Sequence, residues 1–187
     1  MVFRWAEGDC MGRMYPAEHQ RFMSMPLEHR LQVFRDVAVF LEYVNSQGYV
    51  AIDFYDGSVL YEPGGQREPA VPICGAESMR RGWTTICDID FFSRKPYFNR
   101  MGRMWGSSSF MSPEEFTLGA EIDEITNVYT AGAFAFALFG GYRRGFDTWI
   151  LGKASYEVAS RAVSEDRGSR QQSIRQLLQE WEAALEL

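Results

Sequence analysis

At residues 49–62 the chain reads YVAIDFYDGSVLYE, which has the pattern of a strand, a polar turn and a second strand. Residues 49–52 and 59–61 are mostly apolar or aromatic, whereas residues 53–58 contain two aspartates and a glycine. A short loop between two strands is a good position for a catalytic carboxylate, here Asp53. The Asp56-Gly57 pair is typical of a plain hairpin turn, so these residues alone favour that interpretation and leave the catalytic one open.

The composition indicates a single domain. A chain of 187 residues that is 46% hydrophobic is long enough to bury a sizeable core. A formal charge of −6 argues against nucleic acid or an anionic membrane as the main partner. Three widely spaced cysteines, Cys10, Cys74 and Cys87, without a C-x-x-C pair, predict reduced thiols in a cytoplasmic protein. The apolar run at 128–139 is too short to span a bilayer and predicts a buried helix.

Hydrophobic periodicity predicts a mainly helical chain with a few short strands. The predicted helices lie at 16–23, 26–46, 122–140, 171–187 and, as one or two helices, within 147–163. The predicted strands lie at 2–5, 49–52, 59–61 and 84–92. Residues 62–83 contain three prolines and four glycines and predict a long surface loop, and residues 93–106 predict a basic, aromatic loop.

Three short motifs then occur in a recognisable order. They read GSSSFMSPE at 106–114, NVYTAG at 127–132 and DRGSR at 166–170. With Asp53 and Asp88 in front of them, they make the sequence resemble the C-terminal lobe of serine/threonine protein kinases, in a divergent bacterial branch. The corresponding kinase segments read G-T-x-x-Y-M-A-P-E, D-V-W-S-L-G-V and D-P-x-x-R.

The resemblance covers most of the chain and implies its organisation. It implies one kinase-like domain over 1–187, mainly α-helical with a few short strands. Residues 1–11 would form the last strand of the N-terminal lobe and the hinge, and residues 12–187 the C-terminal lobe. The loop at about 62–83 would be an insertion.

The resemblance also implies the chemistry. Asp53 would accept the proton of an incoming hydroxyl or orient it, and Ser107 would help place that hydroxyl. Asp88 would hold Mg²⁺ on the phosphates of ATP, because that choice keeps Ile86 directed into the core. Asp90 preserves the letters D-F of the kinase motif and is the alternative or second metal ligand. Without the family context, both aspartates are typical of an exposed acidic strand end.

Other residues are implied to have binding or structural roles. Glu114 and Arg170 would form a buried ion pair that fixes the geometry of segment 106–114. Asn127 begins the second motif and is expected to be structural. The hinge backbone would face adenine at Ala6, Glu7 and Gly8.

The catalytic-loop positions depart strongly from the kinase pattern H-R-D-L-K-P-x-N, because residues 51–58 read AIDFYDGS. Ile52 replaces the arginine that pairs with a phosphorylated activation loop, so control by that route is not expected. Tyr55 replaces the phosphate-contacting lysine. Ser58 replaces the asparagine that binds a second metal, and a neutral hydroxyl is a poorer Mg²⁺ ligand. Asp56 either compensates for that loss or only makes the turn.

The parts of a kinase that cover ATP are missing from this sequence. It contains no G-x-G-x-x-G, and its two lysines, Lys95 and Lys153, both follow Asp53. We therefore expect ATP-dependent phosphoryl transfer to Ser or Thr hydroxyls of a protein substrate, with ATP and Mg²⁺, complete only with a separate N-terminal lobe. The alternatives are a non-catalytic pseudokinase module that binds a partner, a small-molecule phosphotransferase, or an Asp-x-Asp metalloenzyme of another fold.

Two further groups of side chains have ordinary explanations. His19 and His29 follow glutamates in predicted helices and are predicted to lie at the surface. The arginines of 93–103 would dock an acidic substrate or belong to a solvated loop, and the second interpretation is the more usual one.

Overall fold

We describe residues 6–64 and 82–186 of a computed structural model of the chain. In these residues the fold is a mixture of helices and small antiparallel sheets. The helices are α1 Pro16–Met23, α2 Leu27–Ser46, α3 Glu124–Phe139, α4 Lys153–Ala162 and α5 Ile174–Leu185. The strands are β1 Asp9–Cys10, β2 Tyr49–Val50, β3 Val59–Pro63, β4 Gly82–Ile86, β5 Ser93–Arg94, β6 Tyr97–Phe98 and β7 Glu121–Ile122.

The sheet topology brings the two aspartate loops together. Strand β3 lies between β1 and β4 and runs antiparallel to both, with Val59 opposite Ile86. The backbone pairing continues past β4, because the Cys87 amide donates to the carbonyl oxygen of Ser58 at 3.0 Å. The residue after Cys87 therefore lies beside the loop that joins β2 to β3.

Helix α3 lies at the centre of the hydrophobic core. Nearly all its residues are buried, and it packs against α2, α4 and α5. A Cβ atom on Gly132 would lie 2.6 Å from the Cβ of Ala162, so glycine permits the close approach of α4. Trp181 of α5 packs on Phe34 of α2, with ring centroids 4.3 Å apart. None of the helices in the described ranges is long and apolar enough to cross a membrane.

The predicted helices are confirmed, and the ends of the four single helices differ from the prediction by at most three residues. The predicted segment 147–163 corresponds to a short 3₁₀ turn followed by α4. The apolar residues of α2 and α5 recur at three- and four-residue spacings over several turns, and the long apolar run of α3 indicates a buried helix. The predicted burial of the run 128–139 is confirmed as well.

The strand predictions are less accurate. Strand β4 ends at Ile86 rather than continuing to residue 92, because Asp88 leaves the extended conformation with a φ of 58°. Strand β1 is not among the predicted strands, and the predicted loop 93–106 contains β5 and β6. These two-residue strands depend on their partners and have too few residues to show a period. The predicted strand 2–5, Cys74 and most of the loop 62–83 lie outside the described residues.

Candidate functional site

Two aspartates adopt a backbone conformation that side chains usually avoid. Asp53 has a φ of 55° and Asp88 a φ of 58°; among the described non-glycine residues, only Tyr142 shares a positive φ. Aspartate tolerates the left-handed region better than most residues, but the conformation still costs free energy. Such strain is concentrated at functional sites, so the loop after β2 and the turn after β4 are the first places to look for one.

The Asp53 carboxylate is affected by the charge of Asp88. Partial burial raises the pKa of Asp53, and the negative charge of Asp88 raises it further. Asp53 is half-buried and Asp88 is exposed. A carboxylate with a raised pKa accepts a proton more readily, and a cation beside the pair would relieve the repulsion. This arrangement can therefore act as a base next to a cation-binding group.

Asn127, at the start of α3, holds the backbone just before Asp53. Its Oδ1 accepts a hydrogen bond from the Ala51 amide at 2.9 Å, and its Nδ2 donates to the Ala51 carbonyl oxygen at 2.8 Å. Asn45 of α2 also donates to Oδ1, at 3.2 Å. All three residues are buried, so the position of the Asp53 loop is set by the helical core.

Segment 106–114 passes directly beside Asp53. Gly106 has a φ of +132°, and a Cβ there would lie 3.5 Å from Asp53 Oδ1 and 3.4 Å from the Met111 side chain. Ser107 follows and is half-buried; its carbonyl oxygen accepts from the Phe110 amide at 2.9 Å. The structure thus brings Asp53, Asp88 and the start of this segment into one place.

The far end of the segment is held by a buried ion pair. The fully buried Arg170 donates to both carboxylate oxygens of Glu114, at 2.7 and 3.0 Å, as the resemblance implied. Thr126 Oγ1 donates to the same carboxylate at 3.0 Å. Burial by itself would raise the pKa of Glu114. The hydrogen bonds from Arg170 and the other donors outweigh this effect, so the pKa is lowered. Glu114 is thus held as a carboxylate.

The pKa of the neighbouring Glu115 is shifted in the opposite direction, which the sequence did not predict. Its carboxylate accepts from the amide and the hydroxyl of Ser112, at 2.7 and 3.0 Å, in a capping box. Burial raises its pKa to about 7 even though the Ser112 hydrogen bonds lower it. The S-x-x-E spacing was visible in the sequence, but nothing there indicated that the glutamate would be enclosed.

Asp56 begins the short 3₁₀ turn at 56–58, as one of its two interpretations expected, and it also has partners outside that turn. Its buried carboxylate accepts from the Tyr142 hydroxyl at 2.6 Å and from the Arg13 amide at 3.3 Å. The Arg13 guanidinium lies 3.9 Å from the centroid of the Tyr142 ring. Asp56 therefore links the loop between β2 and β3 to the loop after α3, and no local sequence signal identifies Arg13 or Tyr142 as its partners.

The remaining candidate metal ligands differ in their access. Ser58 is fully buried, and its Oγ has no hydrogen-bond partner in the part of the chain that the structure describes. Asp90 is exposed in the turn before β5. The described residues hold no group of three or more acidic, histidine or cysteine side chains arranged for a metal. Asp88 and Asp90 are therefore the accessible candidates, and Mg²⁺ needs only one or two carboxylates from the protein, because phosphate and water complete its shell.

The residues predicted to form the hinge, Ala6, Glu7 and Gly8, lie immediately before β1. A Cβ on Gly8 would lie 2.7 Å from the Tyr61 backbone, so only glycine fits there, with its φ of +115°. The histidines are half-buried, which corrects the surface prediction. His19 Nδ1 lies 2.6 Å from the Met11 carbonyl oxygen, and His29 Nδ1 lies 2.7 Å from the Tyr61 hydroxyl.

Comparison with known proteins gives no independent assignment: no family model matches the sequence, and no curated protein is significantly similar to it. The kinase hypothesis therefore depends on the ordered motifs and on the geometry described above.

Proposed function

We propose that this chain is the C-terminal lobe of a serine/threonine protein kinase-like protein, which transfers the terminal phosphoryl group of ATP to a protein hydroxyl when joined by an N-terminal lobe. The observation that carries the proposal is the juxtaposition of Asp53 and Asp88, both in the left-handed conformation at adjoining loop positions. The glycine of segment 106–114 beside Asp53 adds to it.

In this proposal the protein supplies position and charge, which phosphoryl transfer mainly requires. Asp53 accepts the proton of the attacking hydroxyl while the new O–P bond forms and the bond to ADP breaks. Asn127 fixes the position of Asp53 relative to the core through its two hydrogen bonds to the Ala51 backbone. Gly106 leaves room for a substrate beside Asp53, since any side chain there would lie against the carboxylate.

Asp88 is the residue that would hold Mg²⁺, because it is exposed and lies beside Asp53. The ion would neutralise the negative charge of the phosphates. Ser58 is a weaker candidate because its Oγ is enclosed. A cytoplasmic location is consistent with the free thiols of Cys10 and Cys87.

The first test is the melting temperature of the chain with and without millimolar MgATP. A ligand that binds only the folded state stabilises it by about 2.7 kcal/mol at a hundredfold excess over its dissociation constant. We expect a Mg²⁺-dependent rise that Asp88→Asn removes and Asp90→Asn retains. Asparagine also tolerates a positive φ, so these variants remove charge without adding strain. An unchanged rise in Asp88→Asn would remove Asp88 from its proposed role.

The second test is transfer itself. A kinase N-terminal lobe joined upstream should give transfer of labelled phosphate to a Ser- or Thr-containing protein, and Asp53→Asn should abolish it. Full transfer by Asp53→Asn would exclude Asp53 as the base.

A second candidate function is a pseudokinase module that binds a protein partner without catalysis. The enclosed hydroxyl of Ser58 favours it, because the second metal position then has no accessible ligand. Cooperative melting without any effect of MgATP would support this alternative. A small-molecule phosphotransferase is less favoured, because segment 106–114 is held in place by Glu114 and Arg170.

A further inference from the structure

Exposed apolar side chains are concentrated in one part of the chain. In the part of the chain that the structure describes, seven of the thirteen large apolar side chains that are exposed lie between residues 89 and 118. Five of them belong to two segments that contact each other: Phe98, Met101, Trp105, Phe116 and Leu118. Trp105 is 55% exposed and Leu118 is 70% exposed. A concentration of exposed aromatic and aliphatic groups is typical of an interaction surface.

A buried asparagine joins the two segments into one unit. Asn99 Nδ2 donates to the carbonyl oxygens of Glu114 and Glu115, at 3.3 and 3.1 Å. The backbone of Asn99 pairs with Gly119 and Ala120, and β6 pairs with β7. The exposed side chains are therefore carried by a framework that is already ordered, which lowers the entropic cost of binding.

The same unit carries unpaired positive charge. Residues 93–106 contain no acidic residue and four basic ones: Arg94, Lys95, Arg100 and Arg103. In the described ranges none of these four has a carboxylate partner, whereas Arg161 and Arg175 form ion pairs with glutamates. Arg103 donates only to neutral oxygens, including Ser108 Oγ at 3.2 Å. In a chain of net charge −6, this is a local excess of positive charge.

We propose that this arginine–aromatic strip, comprising the five apolar and four basic residues named above, binds an acidic peptide segment that also carries apolar side chains. The basic side chains attract the acidic residues of the peptide. Burial of the exposed apolar side chains against the peptide contributes favourable free energy to binding. The strip leads to Gly106, next to Asp53. Binding is independent of the proposed phosphoryl transfer, and the bound segment is a substrate only where that function also holds.

Trp105 provides a direct signal for binding. The other described tryptophans, Trp83, Trp149 and Trp181, are buried, so Trp105→Phe identifies its share of the fluorescence. The probes are three synthetic peptides of equal length that alternate phenylalanine with glutamate, glutamine or lysine. We expect a saturable change in Trp105 emission with the glutamate peptide, weakened by added salt. Equal binding of the glutamine or lysine peptide would overturn the proposal.

Matched variants test each component of the strip. Arg100 is exposed, and Arg100→Glu should lower the affinity for the glutamate peptide about fivefold through charge repulsion. The control Lys153→Glu, on α4, should leave this affinity unchanged. Leu118→Gln should also lower the affinity for the glutamate peptide, whereas Ile150→Gln should not, although both side chains are exposed. Unchanged affinity in both strip variants would overturn the proposal. A larger Trp105 change with phosphatidylserine-containing vesicles than with the peptide would assign the strip to a lipid surface instead.

Discussion

Glu115 gives the chain a stability that depends on pH in a defined direction. Its ordinary pKa is 4.5, and burial raises it to about 7 in the folded protein. The folded state therefore keeps a proton that the unfolded chain releases. The contribution of Glu115 to the free energy of unfolding is fully present below about pH 4.5 and is lost as the pH rises through 7. A pKa difference of about 2.5 corresponds to about 3 kcal/mol, and most of it is lost between pH 5 and pH 8.

The assay is urea denaturation of the wild type and Glu115→Gln at pH 5 and pH 8. Glutamine is neutral throughout and can still accept the Ser112 hydrogen bonds, so the variant lacks this pH-dependent component. We expect the stability of the wild type relative to the variant to fall by about 2 kcal/mol or more from pH 5 to pH 8. Glu157→Gln, an exposed change on α4, is the matched control. A constant difference between wild type and Glu115→Gln would refute the reasoning.

Three further changes test buried contacts of the site and of the helical core by urea denaturation. Asn127→Ala should lower the free energy of unfolding by about 3 kcal/mol, because it leaves the buried amide and carbonyl of Ala51 unpaired. A decrease under about 1 kcal/mol would contradict this. Gly132→Ala should destabilise by about 1–3 kcal/mol through contact with α4, whereas Gly168→Ala, with no atom closer than 3.5 Å, should be nearly neutral. Arg170→Met should cost about 3–5 kcal/mol by leaving Glu114 without its buried partner, and adding Glu114→Gln should restore part of the loss.

The long helices could be predicted because their physics is local. In α2 and α5 the apolar residues recur at three- and four-residue spacings, and that spacing alone places one face in the core. The pairing of Glu114 with Arg170 could not be derived in this way, since 56 residues separate them. Only the motif order pointed to it.

The contacts that the sequence did not indicate are those between short segments. Asp56 and Tyr142 are 86 residues apart, and neither lies in a periodic element that fixes its direction. The enclosure of Glu115 results from the folding of the loops on both sides of it, and a capping-box spacing is compatible with an exposed or a buried glutamate. The left-handed conformation of Asp53 is likewise a tertiary property, because the same letters also suit a hairpin turn.

The ion pair of Arg170 has a consequence for the order in which the protein is completed during synthesis. Residue 114 leaves the ribosome 56 residues before residue 170, which corresponds to about 3–11 seconds at ordinary translation rates. During that interval the Glu114 carboxylate has no buried cation to receive it and stays hydrated. Segment 106–114 beside Asp53 therefore lacks this anchor until residue 170 has emerged.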